Sequence, residues 1–130
     1  MRPVGSAADG PGWRIRVVPN RYPALVPGDR LAPDPLAHGR GEPDLFAAST
    51  AVGAHEVVIN SCAPVSTLVE LGADGLAEAM DVWRLRMRAH AGAAYVHVIV
   101  NEGASAGSSV AHTHAQLFAL HFVPAAVARE

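Results

Sequence analysis

The chain has 130 residues, enough for one domain with a core; half of them are apolar, 17% are charged, and the formal net charge is -2. There is no basic block to leave a nucleic-acid footprint, no apolar run near the ~20 residues of a membrane-spanning helix, and a lone cysteine, Cys62, which excludes an internal disulfide and a Cys-x-x-Cys zinc knuckle. The first residues lack an apolar h-region, so a soluble cytoplasmic domain is expected, with neither nucleic acid nor membrane as partner.

Residues 1–12, rich in Gly, Ala and Pro, read as a disordered lead-in. Trp13 to Val18 alternates charged and apolar residues and predicts a half-buried strand, ended by Pro19. Asn20-Arg21-Tyr22-Pro23 predicts a turn, which Asn20 suits. From Val26 to Pro43 the density of Pro and Gly predicts a long irregular loop that contains a solvated His38. Leu45 to Val52 is compatible with a short strand. Gly53 to Asn60, β-branched at its centre, predicts a second strand, closed by Ser61-Cys62-Ala63-Pro64.

Leu76, Met80, Trp83 and Met87 recur at helical spacing and predict a helix over residues 74–91, with Asp74 as N-cap, Gly92 as stop and Trp83 and the methionines on its core face. Arg84, Arg86 and Arg88 fall late in it, where the helix dipole favours positive charge. Two further strands are expected, Tyr95 to Asn101 and His112 to Val123, around the small-residue loop Gly103 to Ser109. Pro124 to Glu130 looks like the start of another helix. The short connection between the last two strands favours an antiparallel pair. The predicted fold class is α+β, an antiparallel sheet packed against one main amphipathic helix.

On a strand, side chains alternate faces, so His112, His114 and Gln116 share one side. Three such polar groups are costly to bury without partners. A His-x-His pair can chelate a metal, act as base or nucleophile, or be a satisfied structural pair. Its surroundings favour phosphate chemistry: Gly107-Ser108-Ser109 lets backbone amides approach an anion and adds hydroxyl donors, and Gln116 adds an uncharged amide beside His114.

Asn101 through Gln116 resembles the catalytic segment of the galactose-1-phosphate uridylyltransferase family, a branch of the histidine-triad superfamily in which the pattern is His-x-His-x-Gln. Val17 to Leu25 and Gly53 to Ile59 resemble further stretches of that family, so the likeness spans most of residues 13 to 128. The resemblance implies a histidine-triad-like fold and a uridylyl transfer between a UDP-sugar and a sugar 1-phosphate. His114 would be the nucleophile on the α-phosphorus, giving a covalent uridylyl-histidine. The backbone carbonyl of His112 would orient it. Gln116, Ser109, Ser108, Gly107 and Asn101 would bind phosphate, and Asn20 would lie near the nucleoside. Related enzymatic readings are an adenylyl or dinucleotide phosphorylase or transferase; a reading of another class is a nucleotide-binding remnant without turnover.

Many family members bind zinc. Here His112 is the only zinc ligand that matches, because the Cys-x-x-Cys pair is missing and Pro64 stands at another ligand position. Little or no zinc binding is therefore expected, and no other cofactor is implied. Members are longer, with two similar halves, so the domain at residues 13–130 is expected to be truncated at both ends. A homodimer paired through sheets is an expectation from fold analogy. Of the remaining histidines, His97 is expected to be buried or partly buried, His55 to be a surface or edge residue, and His90 to sit near a helix C-terminus; His121 carries no assignment.

Overall fold

The structure is a computed structural model that describes residues 12–28 and 51–128. Strands β1 (Arg16–Pro19), β2 (Gly53–Ile59), β3 (Tyr95–Ile99) and β4 (His114–Leu120) form one sheet in the order β1-β2-β4-β3, with every neighbouring pair antiparallel. Helix α1 (Gly72–Ala89) covers one face, and the short helix α2 (Ala125–Ala128) follows β4. This is the expected α+β arrangement. The expected lead-in through Pro11, most of the loop from Val26 to Pro43 with His38, the stretch from Leu45 to Thr50, and Arg129 and Glu130 lie outside the described residues. Val52 makes an isolated parallel bridge to Val26.

Register decides which side chains meet the helix. Val17, Val58 and Ala115 are paired across three strands and point to α1, where they pack with Ile15, Ala79 and Val82. Val58 and Leu117 are fully buried, each contributing about 1.5–3 kcal/mol of apolar burial. The alternate row, Ile59 opposite His114 and Val57 opposite Gln116, points away from the helix. A one-residue slip would exchange these rows, so the core fixes which side chains reach the opposite face.

The helix begins two residues earlier than expected and ends two earlier. Its approach is a 3-10 turn, Val69–Leu71, and Asp74 falls in the first helical turn without capping it. The helix itself has no side-chain cap, and the start of the 3-10 turn is held instead by Glu70, whose Oε2 accepts hydrogen bonds from the backbone N–H groups of Ser66 and Thr67, both at 2.8 Å. This resembles a capping box, Thr-x-x-Glu.

Two expectations for the helix face fail. Met80 and Met87 are 47% and 38% exposed, while Ala79 and Val82 face the core. The helix sits about one position rotated from the stripe of large residues because small Ala79 permits close approach to the sheet. Trp83 remains at the margin of the core and donates its indole N–H to Asn60.

Two histidine expectations fail as well. His97 is exposed: its partner in register is Phe118, which places it on the face away from α1, and β3 is an edge strand. His55 is buried, at 7% exposure, because β2 is an interior strand and the turn at Asn20 to Ala24 folds over its ring.

Candidate functional site

The sheet face opposite α1 carries a cavity of about 560 Å³. Its floor is Val57, Ile59, His114 and Gln116; its walls are Trp13, Asn20 and Tyr22 on one side and Cys62, Ser109, Val110 and His112 on the other. An apolar floor with a few convergent polar groups is the usual composition of a small-molecule site.

His114 opens β4, and its Nδ1 donates to the backbone carbonyl of His112 at 2.8 Å. That bond fixes the neutral ring's proton on Nδ1 and leaves the Nε2 lone pair unprotonated. The segment just before β4 is tightly held. Thr113 N–H donates to the Val65 carbonyl at 2.9 Å, and Asn60 N–H to the Thr113 carbonyl at 3.2 Å. Asn60 and Thr113 are each 2% exposed. The Asn60 amide donates to Thr113 Oγ1 at 3.2 Å and accepts the Trp83 indole N–H at 3.0 Å. A buried polar chain with every member partnered thus ties the histidine segment to β2 and α1.

Gln116 lies two residues along the same face, and its Oε1 is 2.8 Å from His55 Nε2. His55 Nδ1 accepts the Ala24 N–H at 3.0 Å, and the ring stacks on Phe118 with centroids 4.1 Å apart. Asn20 Oδ1 accepts the Tyr22 N–H at 2.9 Å, so Asn20 stabilises its turn and lines the cavity as well.

The residues expected to bind phosphate are brought only partly to this site. Ser109 lines the cavity; Gly107, Ser108 and Asn101 do not. The Ser108 hydroxyl donates to the Val110 carbonyl at 2.7 Å, and Gly107 turns the loop at φ 80°. Sequence reasoning missed Trp13, Tyr22, Val57, Ile59 and Val110 as lining, and His55 as the partner of Gln116. The signal for His55 was its spacing, since on a strand it shares a face with Val57 and Ile59.

Zinc does not fit these residues. His112 Nε2 donates to the Ser61 carbonyl at 2.8 Å, which occupies the nitrogen nearest the turn. Among the described residues, no group of three or more His, Cys, Asp or Glu is arranged to hold a metal. A structural zinc site requires four ligands. Among the described residues, no helix is long and apolar enough to cross a membrane.

The family model described as galactose-1-phosphate uridyl transferase, N-terminal domain, matches residues 13–124. An ADP-glucose phosphorylase of Arabidopsis thaliana is 33% identical over 122 residues, which are 90% of this chain and 33% of that protein. A galactose-1-phosphate uridylyltransferase of Haemophilus influenzae is 36% identical over 102 residues, 77% of this chain and 29% of that protein. A solved uridylyltransferase structure superposes with a TM-score of 0.74 at 26% identity, covering 96% of this chain and 38% of that one. An Arabidopsis thaliana ADP-glucose phosphorylase with bound ADP-glucose gives a TM-score of 0.69 at 29% identity, covering 92% of this chain and 36% of that one. The chain thus spans about a third of the length of the curated relatives it matches.

Proposed function

From the premise that the chain belongs to the galactose-1-phosphate uridyl transferase N-terminal domain family, we propose that it transfers a nucleotidyl group from a nucleotide sugar through His114. The observation that carries this reading is the 2.8 Å bond from His114 Nδ1 to the His112 carbonyl, which leaves Nε2 as a nucleophile on a ring lining the cavity. In the first step the Nε2 lone pair attacks the α-phosphorus and a P–N bond forms. The bond from the α-phosphorus to the bridging oxygen breaks, and sugar 1-phosphate leaves with that electron pair. The imidazolium charge is shared with the His112 carbonyl through the Nδ1 proton. Gln116 and Ser109 donate to phosphoryl oxygens as charge shifts in the transition state. In the second step an acceptor oxygen attacks phosphorus and the P–N bond breaks, returning the electron pair to His114.

Two acceptors follow from the relatives. A sugar 1-phosphate makes the reaction a uridylyltransferase, our leading reading from the His-x-His-x-Gln segment. Inorganic phosphate makes it a phosphorylase, which the 33% identity to an ADP-glucose phosphorylase supports. Incubation of the chain with UDP-glucose and, separately, with ADP-glucose, followed by intact-mass measurement, tests both. The expected result is an acid-labile gain of one nucleotidyl group, lost in His114→Ala. Nucleotide binding with no adduct from either sugar would overturn it in favour of a binding remnant without turnover.

A further inference from the structure

Gln116 has an amide whose two ends do opposite things: Oε1 accepts and the NH2 donates. A phosphoryl oxygen needs the NH2. On a cavity floor in free rotation, the carbonyl would face the phosphate half of the time and repel it. Something must choose.

We propose that His55 is a positioning residue that turns the Gln116 amide so that its NH2 faces the cavity; this rests on the nucleotidyl-transfer reading above. The choice starts at the backbone. The Ala24 N–H can only donate, and it points at His55 Nδ1 at 3.0 Å. Nδ1 must then carry the lone pair, and in a neutral ring the proton sits on Nε2. That Nε2–H lies 2.8 Å from the Gln116 amide and requires an acceptor there, which is Oε1. The amide NH2 is left for the cavity. The ring itself cannot turn over freely, because it stacks on Phe118 at 4.1 Å and is almost fully enclosed.

Asn20 obeys the same proton. Its Oδ1 is used by the Tyr22 N–H at 2.9 Å, so its NH2 faces His55 Nε2 at 3.1 Å. With Nε2 protonated, that contact joins two donors. The Asn20 NH2 then has no acceptor on His55, and Asn20 lines the cavity, where an acceptor-bearing ligand can supply one. One ring proton, set by one backbone amide, directs two amide donors towards the same space. The ligand that satisfies both is rich in acceptors, as the phosphate and ribose portion of a nucleotide is.

The test uses the full chain labelled with 15N. The expected ring spectrum of His55 shows Nε2 protonated and Nδ1 bare; a ring protonated on Nδ1 would overturn the proposal. Single-turnover nucleotidylation of His114 supplies the second readout. His55→Ala is expected to slow it by about tenfold to a hundredfold, and to weaken UMP and AMP binding by a smaller factor. His55→Gln, whose amide NH2 supplies a donor again, is expected to recover part of the rate. Equal rates in parent and His55→Ala, or equal losses in His55→Ala and His55→Gln, would overturn it. If the parent chain forms no adduct, the nucleotidyl-transfer reading fails instead, and the ring spectrum alone decides whether His55 orients Gln116.

Discussion

Arg86 grips both oxygens of Glu56, with Nε 2.9 Å from Oε2 and Nη2 2.6 Å from Oε1, and so ties the last turns of α1 to the strand that carries His55. His90 Nε2 lies 2.9 Å from the same Oε1. A two-pronged pair of this kind fixes geometry as well as charge.

Burial pushes the Glu56 carboxyl up, but the hydrogen bonds from Arg86 and His90, aided by their charges, outweigh it and hold it below its ordinary value of 4.5. Since the folded-state value is the lower one, the stability from this group is fully present above the ordinary value and is lost as pH falls through the depressed one. Glu56→Gln should therefore melt at a lower temperature than the parent at pH 7, and the two melting curves should converge on acidification below 4.5. Thermal melts between neutral and acidic pH check this. Curves that stay parallel would show that the pair does not contribute in this way.

Gly53 opens β2 and pairs with Leu120, the last residue of β4. Its φ is +153°, and a Cβ there would lie 2.1 Å from the Ala119 carbonyl oxygen. The obstacle is backbone of a paired strand, so it cannot swing aside as a flexible side chain would. Gly53→Ala is expected to cost about 2–3 kcal/mol, measured by denaturant unfolding. Gly92→Ala is the control, because nothing lies within 4 Å of its Cβ position, and it should leave stability nearly unchanged.

Asn60 is the hub of the buried polar chain. Replacing it with Ala leaves the Trp83 indole N–H and the Thr113 hydroxyl without their partner. The expected cost is about 1–3 kcal/mol, with a change in Trp83 fluorescence, since that indole loses its acceptor. Because the Asn60–Thr113 pairing also holds the segment before β4, Asn60→Ala should slow His114 nucleotidylation more than it weakens nucleotide binding. Equal losses in both would argue against positioning.

The sheet and its helix were legible because their signals are periodic: β-branched runs at β2 and β3 and a long amphipathic stretch at α1. The helix orientation was not, because alanine scores as neutral in a hydrophobic stripe and Ala79, with no exposed surface, is what meets the sheet. Thr67-x-x-Glu70, which holds the 3-10 turn ahead of the helix, was readable but overshadowed by Asp74. At the site, alternation was enough to put His114 and Gln116 on one face. The roles of Asn60 and His55 were hidden because both depend on contacts between residues far apart in the chain, such as His55 with Ala24 and Gln116. No local pattern encodes which strands become neighbours.

The identity of residue 116 bears on what happens after the adduct forms. Gln116 donates through an amide that does not titrate, so it can hold a phosphoryl oxygen but cannot take a proton from water. A histidine at the same position would add a base on the face that carries His114. Gln116→His is expected to shorten the lifetime of the nucleotidyl-His114 adduct in water by about tenfold to a hundredfold, in the range of general base assistance. The rate at which the adduct forms should change less. The measurement is the decay of the adduct mass in buffer without an acceptor, with Gln116→Glu alongside; a carboxylate there places negative charge beside the phosphate and should suppress adduct formation itself. If parent and Gln116→His adducts decay at the same rate, the amide has no part in protecting the intermediate from water.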